Sequence, residues 1–327
     1  MPGPSIPLSI LDLAAVGREE TVAASFAGSV ELARAAERGG YRRVWYAEHH
    51  NISSIASSAT AVLIAHVAAQ TGTIRLGAGG VMLPNHSPLV VAEQFGTLET
   101  LHPGRIDLGL GRAPGTDQRT WMALRRDPAA SDRFPEDVVE LQRFLGDEEP
   151  LPGLRAIPGR GTKVPLYILG SSLFGAELAA QLGLPYAFAS HFAPRHLHEA
   201  IAVYREGFRP SEQLAEPYVI AGVGVIAAET EESAAAQFEA ARRIRARALF
   251  GRGRKLSEED VDDLLRSPQA AAVDEMLAYT GSGVAEEVAA YLEGFAADTG
   301  ADELITVHYS DTVANRLRSV ELVAPLR

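Results

Sequence analysis

The sequence predicts an α/β protein, a closed (β/α)8 TIM barrel with an extended insertion before its last unit. Three observations lead there. Strand-length apolar runs alternate eight times with segments of helical period, and near-continuous apolar strands separated by helices imply a parallel sheet covered on both faces. The chain has 327 residues, enough for one barrel of ~250 residues plus insertions. The G-x-G-x-x-G fingerprint of an open doubly wound sheet is missing after the first strand, and no Pro/Ser-rich linker divides the chain. Residues 1–327 therefore read as a single barrel domain.

The elements follow in order. Ser5–Leu11 is an apolar first strand. Thr21–Arg38 has apolar residues at helical spacing (Val22, Phe26, Val30, Ala33) and stops at Gly39-Gly40, a helix stop signal. Arg43–Ala47 is a short β-branched and aromatic strand. Ser57–Gln70 reads as a helix and Ile74–Gly80 as a strand. Ser87 followed by Pro88 is an N-cap with proline at the first helical position, opening a helix to about Leu101. Arg105–Leu110 is the fourth strand and Ser131–Leu145 its helix. Val164–Leu169, Tyr186–Ala189, Tyr218–Ala227 and Glu303–His308 complete the strands. Their helices are Leu173–Leu182, ended by Gly183, then Pro194–Phe208, Thr230–Phe250, Val284–Thr299 and Val313–Leu322. Two segments exceed the minimal repeat. The Pro- and Gly-rich Gly146–Lys163 is an excursion before the fifth strand. Residues 250–282, with the basic run 251–255, read as a lid or insertion, since long loops in compact domains are often lids.

Composition narrows the function. The chain has no cysteine, which excludes disulfides, a thiol nucleophile, iron–sulfur clusters and Cys-based zinc sites. The 30 cationic and 42 acidic side chains give a net charge of −12, unsuited to nucleic acid or an anionic membrane. No apolar stretch approaches the ~20 residues of a membrane span, and no basic n-region precedes an apolar one near the start. The expectation is a cytoplasmic enzyme.

In a barrel the chemistry sits at the C-terminal ends of the strands. The second strand ends in Glu48-His49-His50-Asn51. Four polar side chains there suggest function, although a network capping the next helix is the plainer alternative. Adjacent strand residues point to opposite faces, so His49 and His50 do not naturally share one ion, and no metal site is expected. The third strand ends in Gly79-Gly80, a mark of a bulge or of close approach by a ligand. Arg112 closes the fourth strand and can hold a phosphate bidentately or lie in a surface turn. Gly170-Ser171-Ser172 runs straight into a helix; such a start can bind an anion, and one serine can equally be its N-cap. Ser190 and His191 end the sixth strand, and His308-Tyr309 the eighth. Together these ends suit a phosphorylated, largely planar ligand. There is no G-x-S-x-G elbow and no Walker A sequence.

In order along the chain, Trp45-Tyr46-Ala47-Glu48-His49-His50-Asn51, Gly79-Gly80-Val81-Met82-Leu83-Pro84, Glu93-Gln94, Pro103-Gly104-Arg105, Gly109-Leu110-Gly111-Arg112 and Gly170-Ser171-Ser172 resemble the bacterial luciferase-like flavin-dependent monooxygenases, in their single-subunit, alkanal monooxygenase-like branch. The resemblance implies FMN, used in its reduced form as co-substrate and supplied by a separate flavin reductase. With O2 it would oxygenate a small, largely apolar, aldehyde-like substrate through a flavin hydroperoxide. The flavin phosphate would lie near Arg112, Gly170, Ser171 and Ser172. A non-prolyl cis peptide at Gly79–Gly80 would flank the ring, and Ser190 and His191 would add contacts. His49 would be the catalytic acid–base, oriented by His50 and Glu48, with His191 or His308 facing the same pocket. A homodimer is also implied. Gly111 stands where luciferases carry a cysteine, so light emission is not implied. The rival readings are hydride transfer with a deazaflavin or a nicotinamide, a non-catalytic flavin-binding protein, and a metal-dependent hydrolase.

Overall fold

The structure, a computed structural model, describes residues 4–17, 19–113, 117–251 and 254–325. Its elements are β1 (Leu8–Asp12), α1 (Val22–Gly39), β2 (Arg43–Tyr46), α2 (Thr60–Ala68), β3 (Arg75–Met82), α3 (Pro88–Leu101), β4 (Ile106–Gly111), α4 (Gln118–Ala123), α5 (Phe134–Leu145), β5 (Leu166–Gly170) and α6 (Leu173–Leu182). There follow β6 (Tyr186–Phe188), α7 (Leu197–Gly207), β7 (Val219–Ala227), α8 (Glu231–Gly251), α9 (Glu258–Arg266), α10 (Ala270–Met276), β8 (Thr280–Gly283), α11 (Ala285–Thr299), β9 (Glu303–His308) and α12 (Val313–Leu322).

Eight strands close a parallel barrel in the order β1-β2-β3-β4-β5-β6-β7-β9, with β9 back against β1 and β6 against β7. This is the expected (β/α)8 fold. The local signals act where they were read. Thr21 caps α1 by accepting from the Ala24 N–H at 3.1 Å, and Gly40 (φ 77°) ends that helix in the left-handed region. Gly183 (φ 63°) ends α6 in the same way.

Strand alternation sorts the side chains into two layers. One face of each strand packs on the helices, through residues such as Ile10, Val44, Tyr46, Leu108 and Ile168. The other fills the barrel with Leu11, Trp45, Ala47, Tyr167, Ile220, Ile305 and Val307. At the N-terminal end the filling turns ionic. Arg43, 1% exposed, donates from Nη1 to Asp107 at 2.8 Å and to the Tyr167 hydroxyl oxygen at 2.7 Å, and from Nη2 to Glu303 at 3.1 Å. Glu303 also accepts from Ser9 and Tyr218 at 2.5 and 2.8 Å. Asp107 also accepts from Arg75 Nε and the Trp45 indole N–H, both at 3.1 Å. Every buried carboxylate there has several donors, as its removal from water requires.

Residues 250–282 are built as more than a loop. They contain α9 and α10 and lead into β8. Residues 252–253 of the basic run lie outside the described residues. β9 occupies one edge of β7 through Ile220–Val225. On the other edge β6 reaches only Ala221, and β8 takes over at Gly224–Ala227. Between them the Gly222 carbonyl accepts a hydrogen bond from Ser190 Oγ at 2.5 Å. The insertion thus completes the barrel wall where a short β6 leaves it open.

Candidate active site

The end of β2 is held by a buried carboxylate. Glu48, 1% exposed, accepts from the Met82 N–H at 2.9 Å and from Asn85 Nδ2 at 3.0 Å. His50 Nε2 meets the same carboxylate at 2.8 Å and His86 Nε2 at 2.9 Å. Burial raises the Glu48 carboxyl, but hydrogen bonds from His86, Asn85 and His50 outweigh it and hold the group below the usual carboxylate range. Asn85 in turn accepts from the Trp121 indole at 3.0 Å. Glu48 and His50 therefore tie the ends of β2 and β3 together. His49 lies between them in sequence and continues the inward alternation of Arg43, Trp45 and Ala47. It is half-buried, and its backbone N–H donates to the Ser57 carbonyl at 3.3 Å.

One side of the mouth is floored by glycine. A Cβ on Gly79 would fall 2.7 Å from Leu11 Cδ1 and 2.8 Å from Trp45 Cβ. One on Gly80 would strike Leu169 and lie 2.7 Å from the Gly109 carbonyl oxygen. One on Gly111 would lie 2.8 Å from Met82 Sδ. A side chain at Gly79 or Gly80 would collide with the wall, so the floor there is bare backbone against Trp45 and Gly109, whereas at Gly111 only the flexible end of Met82 would have to move. The Gly79–Gly80 peptide is cis, the isomer that the resemblance implies.

Beside this floor stands a set of anion donors. Arg112 follows β4 and lays its guanidinium over the Phe174 ring of α6, 4.2 Å from the centroid. Ser172 is the N-cap residue of α6, but its hydroxyl makes no capping hydrogen bond. The first-turn N–H groups are left to an external partner. Tyr186 braces the turn by donating to the Ser172 carbonyl at 3.1 Å. Gly170 ends β5 directly before this turn, packed beside Gly175 and Tyr186. Ser171 is half-buried and Ser172 exposed.

Across the mouth, His191 is 7% exposed and its Nδ1 has no hydrogen-bond partner among the described residues. Burial, reinforced by the positive charges of Arg245 and His49, pushes its imidazole down to about 3. Tyr309 donates to the His191 carbonyl at 2.8 Å. His308 does not join this group. It lies on the outer face of β9, with Nδ1 2.8 Å from Ser319 Oγ of α12 and Nε2 3.1 Å from Thr306 Oγ1. Strand parity sends it there, because Glu303, Ile305 and Val307 take the inner face. Burial and Arg316 push it down to about 3 as well. Ser190 is fully buried in the β6–β8 seam. The structure thus brings Glu48, His49, His50, Gly79, Gly80, Arg112, Gly170, Ser171, Ser172 and His191 to one rim. It gives the Ser190 hydroxyl a backbone partner in the wall.

The two buried histidines predict an acid-sensitive fold. Each binds its proton more readily in the unfolded chain, so its contribution is complete above about pH 6.5 and is lost as pH falls toward 3. Each contributes up to roughly tenfold in the folding equilibrium per pH unit. Glu48 adds the same trend only below 4.5. Urea midpoints should fall steadily as pH drops from about 7 to about 5; a flat profile over that range would contradict the burial of neutral imidazoles.

Comparison with known proteins gives the class. The family model described as luciferase-like monooxygenase matches residues 6–303. The chain is 45% identical over 326 residues to a luciferase-like monooxygenase of Escherichia coli (strain K12), covering 99% of this chain and 97% of that one. It is 45% identical over 189 residues to the N-acetyl-S-alkylcysteine monooxygenase of Bacillus subtilis (strain 168), covering 56% and 57% of the two. The crystal structure of apo-MsnO8 superposes with a TM-score of 0.87 at 38% identity, covering 98% of this chain and 97% of that chain. The chain belongs to the luciferase-like monooxygenase family and is an enzyme of that family. Among the described residues no helix is long and apolar enough to cross a membrane.

Proposed function

We propose that the chain is a flavin-dependent monooxygenase that uses reduced FMN and O2 to oxygenate a small organic substrate. The observation that carries this reading is the pairing of a glycine floor with an uncapped helix start and an arginine on the same side of the mouth. A flat ring fits over Gly79 and Gly80, where any Cβ would collide with the wall. The phosphate fits Arg112 and the first turn of α6. Bound there, reduced FMN supplies the electrons and the reaction with O2.

The protein's own residues bind, orient and move protons. Arg112, Ser171, Ser172 and the α6 N–H groups hold the phosphate against a net charge of −12. His49 exchanges a proton with the reacting oxygen, at a ring whose ordinary value lies near neutral pH. Glu48, clamped by Asn85 and His86, fixes the segment that carries His49, and His50 completes that clamp. The apolar filling of Leu11, Trp45 and Leu169 beneath the floor keeps water from the reacting side. The substrate is largely apolar, a flavin reductase delivers the cofactor, and the protein acts in the cytoplasm as a homodimer, for which light scattering should give a two-chain mass.

The test is a spectral titration with FMN and reduced FMN, followed by oxygen uptake of the reduced complex. Binding of FMN, and oxygen consumption coupled to product, are expected. Exchange of hydride with a deazaflavin without oxygen uptake would replace the proposal. Bound flavin with no turnover would indicate a non-catalytic protein.

A further inference from the structure

The long helix α8 carries a charge in the wrong place for a solvated helix. Ala234, Phe238 and Ala241 form its buried stripe, packed with Ile226 and Tyr309. Arg245 falls on the same stripe, four residues past Ala241. Its neighbours on other faces are all neutralised. Arg242 meets Asp274 and Glu239, Arg243 meets Glu258 and Asp262, and Arg247 meets Glu258. Arg245 has no carboxylate among the described residues. It is half-buried, and its guanidinium lies 4.9 Å from the centroid of the Tyr309 ring. One ring face leaves most of the five guanidinium donors open to solvent or to a ligand. His191, beside it, is held neutral and cannot supply the missing negative charge.

Position in the barrel separates this cation from Arg112. Tyr309 follows β9 and Arg112 follows β4, four strands apart in a ring of eight. The two arginines therefore stand on opposite sides of the mouth, with the glycine floor and His49 between them. α9 and α10 fix α8 in place through Ala246, Val261, Val273 and Leu277, with Phe238 and Tyr309 against the same cluster. Arg245 is thus mounted on a packed element and aimed at the mouth by its neighbours on the stripe.

We infer that Arg245 is a substrate-binding residue, and that the substrate of this enzyme is an organic carboxylate whose anionic end lies on Arg245 with its apolar remainder directed toward the glycine floor. The inference rests on the monooxygenase reading above and adds to it an anionic group on an otherwise apolar substrate. A carboxylate satisfies the guanidinium fork with two parallel hydrogen bonds. A neutral amide of the same shape cannot.

The test is calorimetric binding to the full chain, with and without FMN. The probes are straight-chain and phenyl-substituted carboxylates of increasing length, each compared with its own primary amide. The expected result is a carboxylate preference of about tenfold or more for at least one pair. Arg245→Met should abolish that preference, Arg245→Lys should keep part of it, and both variants should bind FMN as the parent does and melt within a few degrees of it. No preference in any pair, or a preference that survives Arg245→Met, would overturn the assignment. So would loss of FMN affinity in Arg245→Met, which would give the arginine to the cofactor. A carboxylate preference in a chain that binds no FMN would leave Arg245 as an anion site and remove the monooxygenase reading instead.

Discussion

Replacing Arg43 by methionine will destabilise the folded chain by about 3–5 kcal/mol, the cost of leaving buried charges without their partner. The side chain is 1% exposed, and both of its carboxylate partners, Asp107 and Glu303, are fully buried. Methionine fills similar volume, so the loss is one of charge and donors rather than of packing. Asp107 keeps Arg75, and Glu303 keeps Ser9 and Tyr218, which places the effect within that range rather than above it. The consequence reaches the mouth. Trp45 donates to Asp107 at 3.1 Å and packs edge-on against Tyr167 at 4.9 Å, and the same indole supports Gly79. Urea denaturation of the parent and variant measures the change directly. A loss below about 1 kcal/mol would show that the network fills space without holding the barrel together.

Replacing His49 by alanine will lower turnover by about 10²–10⁴-fold, the usual contribution of a positioned acid–base group, while FMN affinity and melting temperature stay close to the parent's. The separation is expected because the floor and the phosphate donors belong to β3, β4 and α6, not to the segment after β2. Glu48→Gln, by contrast, acts through position. It keeps the shape but removes the charge that His50 and His86 face at 2.8 and 2.9 Å. It should shift the pH profile of turnover and raise the mobility of the rim. Unchanged turnover in His49→Ala, measured at saturating reduced FMN, would remove His49 from the chemistry.

Much of this site could be read from the residues, and the reasons for the rest are physical. Polar side chains packed at the end of a strand cannot be core, so Glu48-His49-His50 marked the rim at once. What spacing could not show was the division of labour within it. Glu48 is a structural hub only because Met82, Asn85 and His86 arrive from β3, a contact over more than thirty positions. Ser172 looked like an N-cap, and its hydroxyl leaves the cap open instead. His308 was misplaced as a pocket candidate because strand parity needs a reference. That reference is Glu303, which faces inward to meet Arg43. Ser190 sits in a seam that exists because β6 ends at Phe188 and β8 enters beyond it, and no local pattern announces that exchange. Arg245 was legible in principle. An arginine on the stripe of Ala234, Phe238 and Ala241 breaks the amphipathic pattern, and a helical projection of 231–251 exposes it. The helices α9 and α10 were passed over within a segment read as a lid or insertion, although Val261, Leu264 and Leu265 follow a Ser257 capping box at helical spacing in α9.

The central claim is that one side of this mouth is a flavin phosphate and ring site. The direct measurement is the dissociation constant of FMN for the parent and for Arg112→Ala, read from the flavin absorption and fluorescence. Saturable binding to the parent is expected, with a loss of about 1.5–3 kcal/mol, roughly ten- to a hundredfold, in the variant. FMN that fails to bind the parent, or that binds both proteins equally, would contradict it.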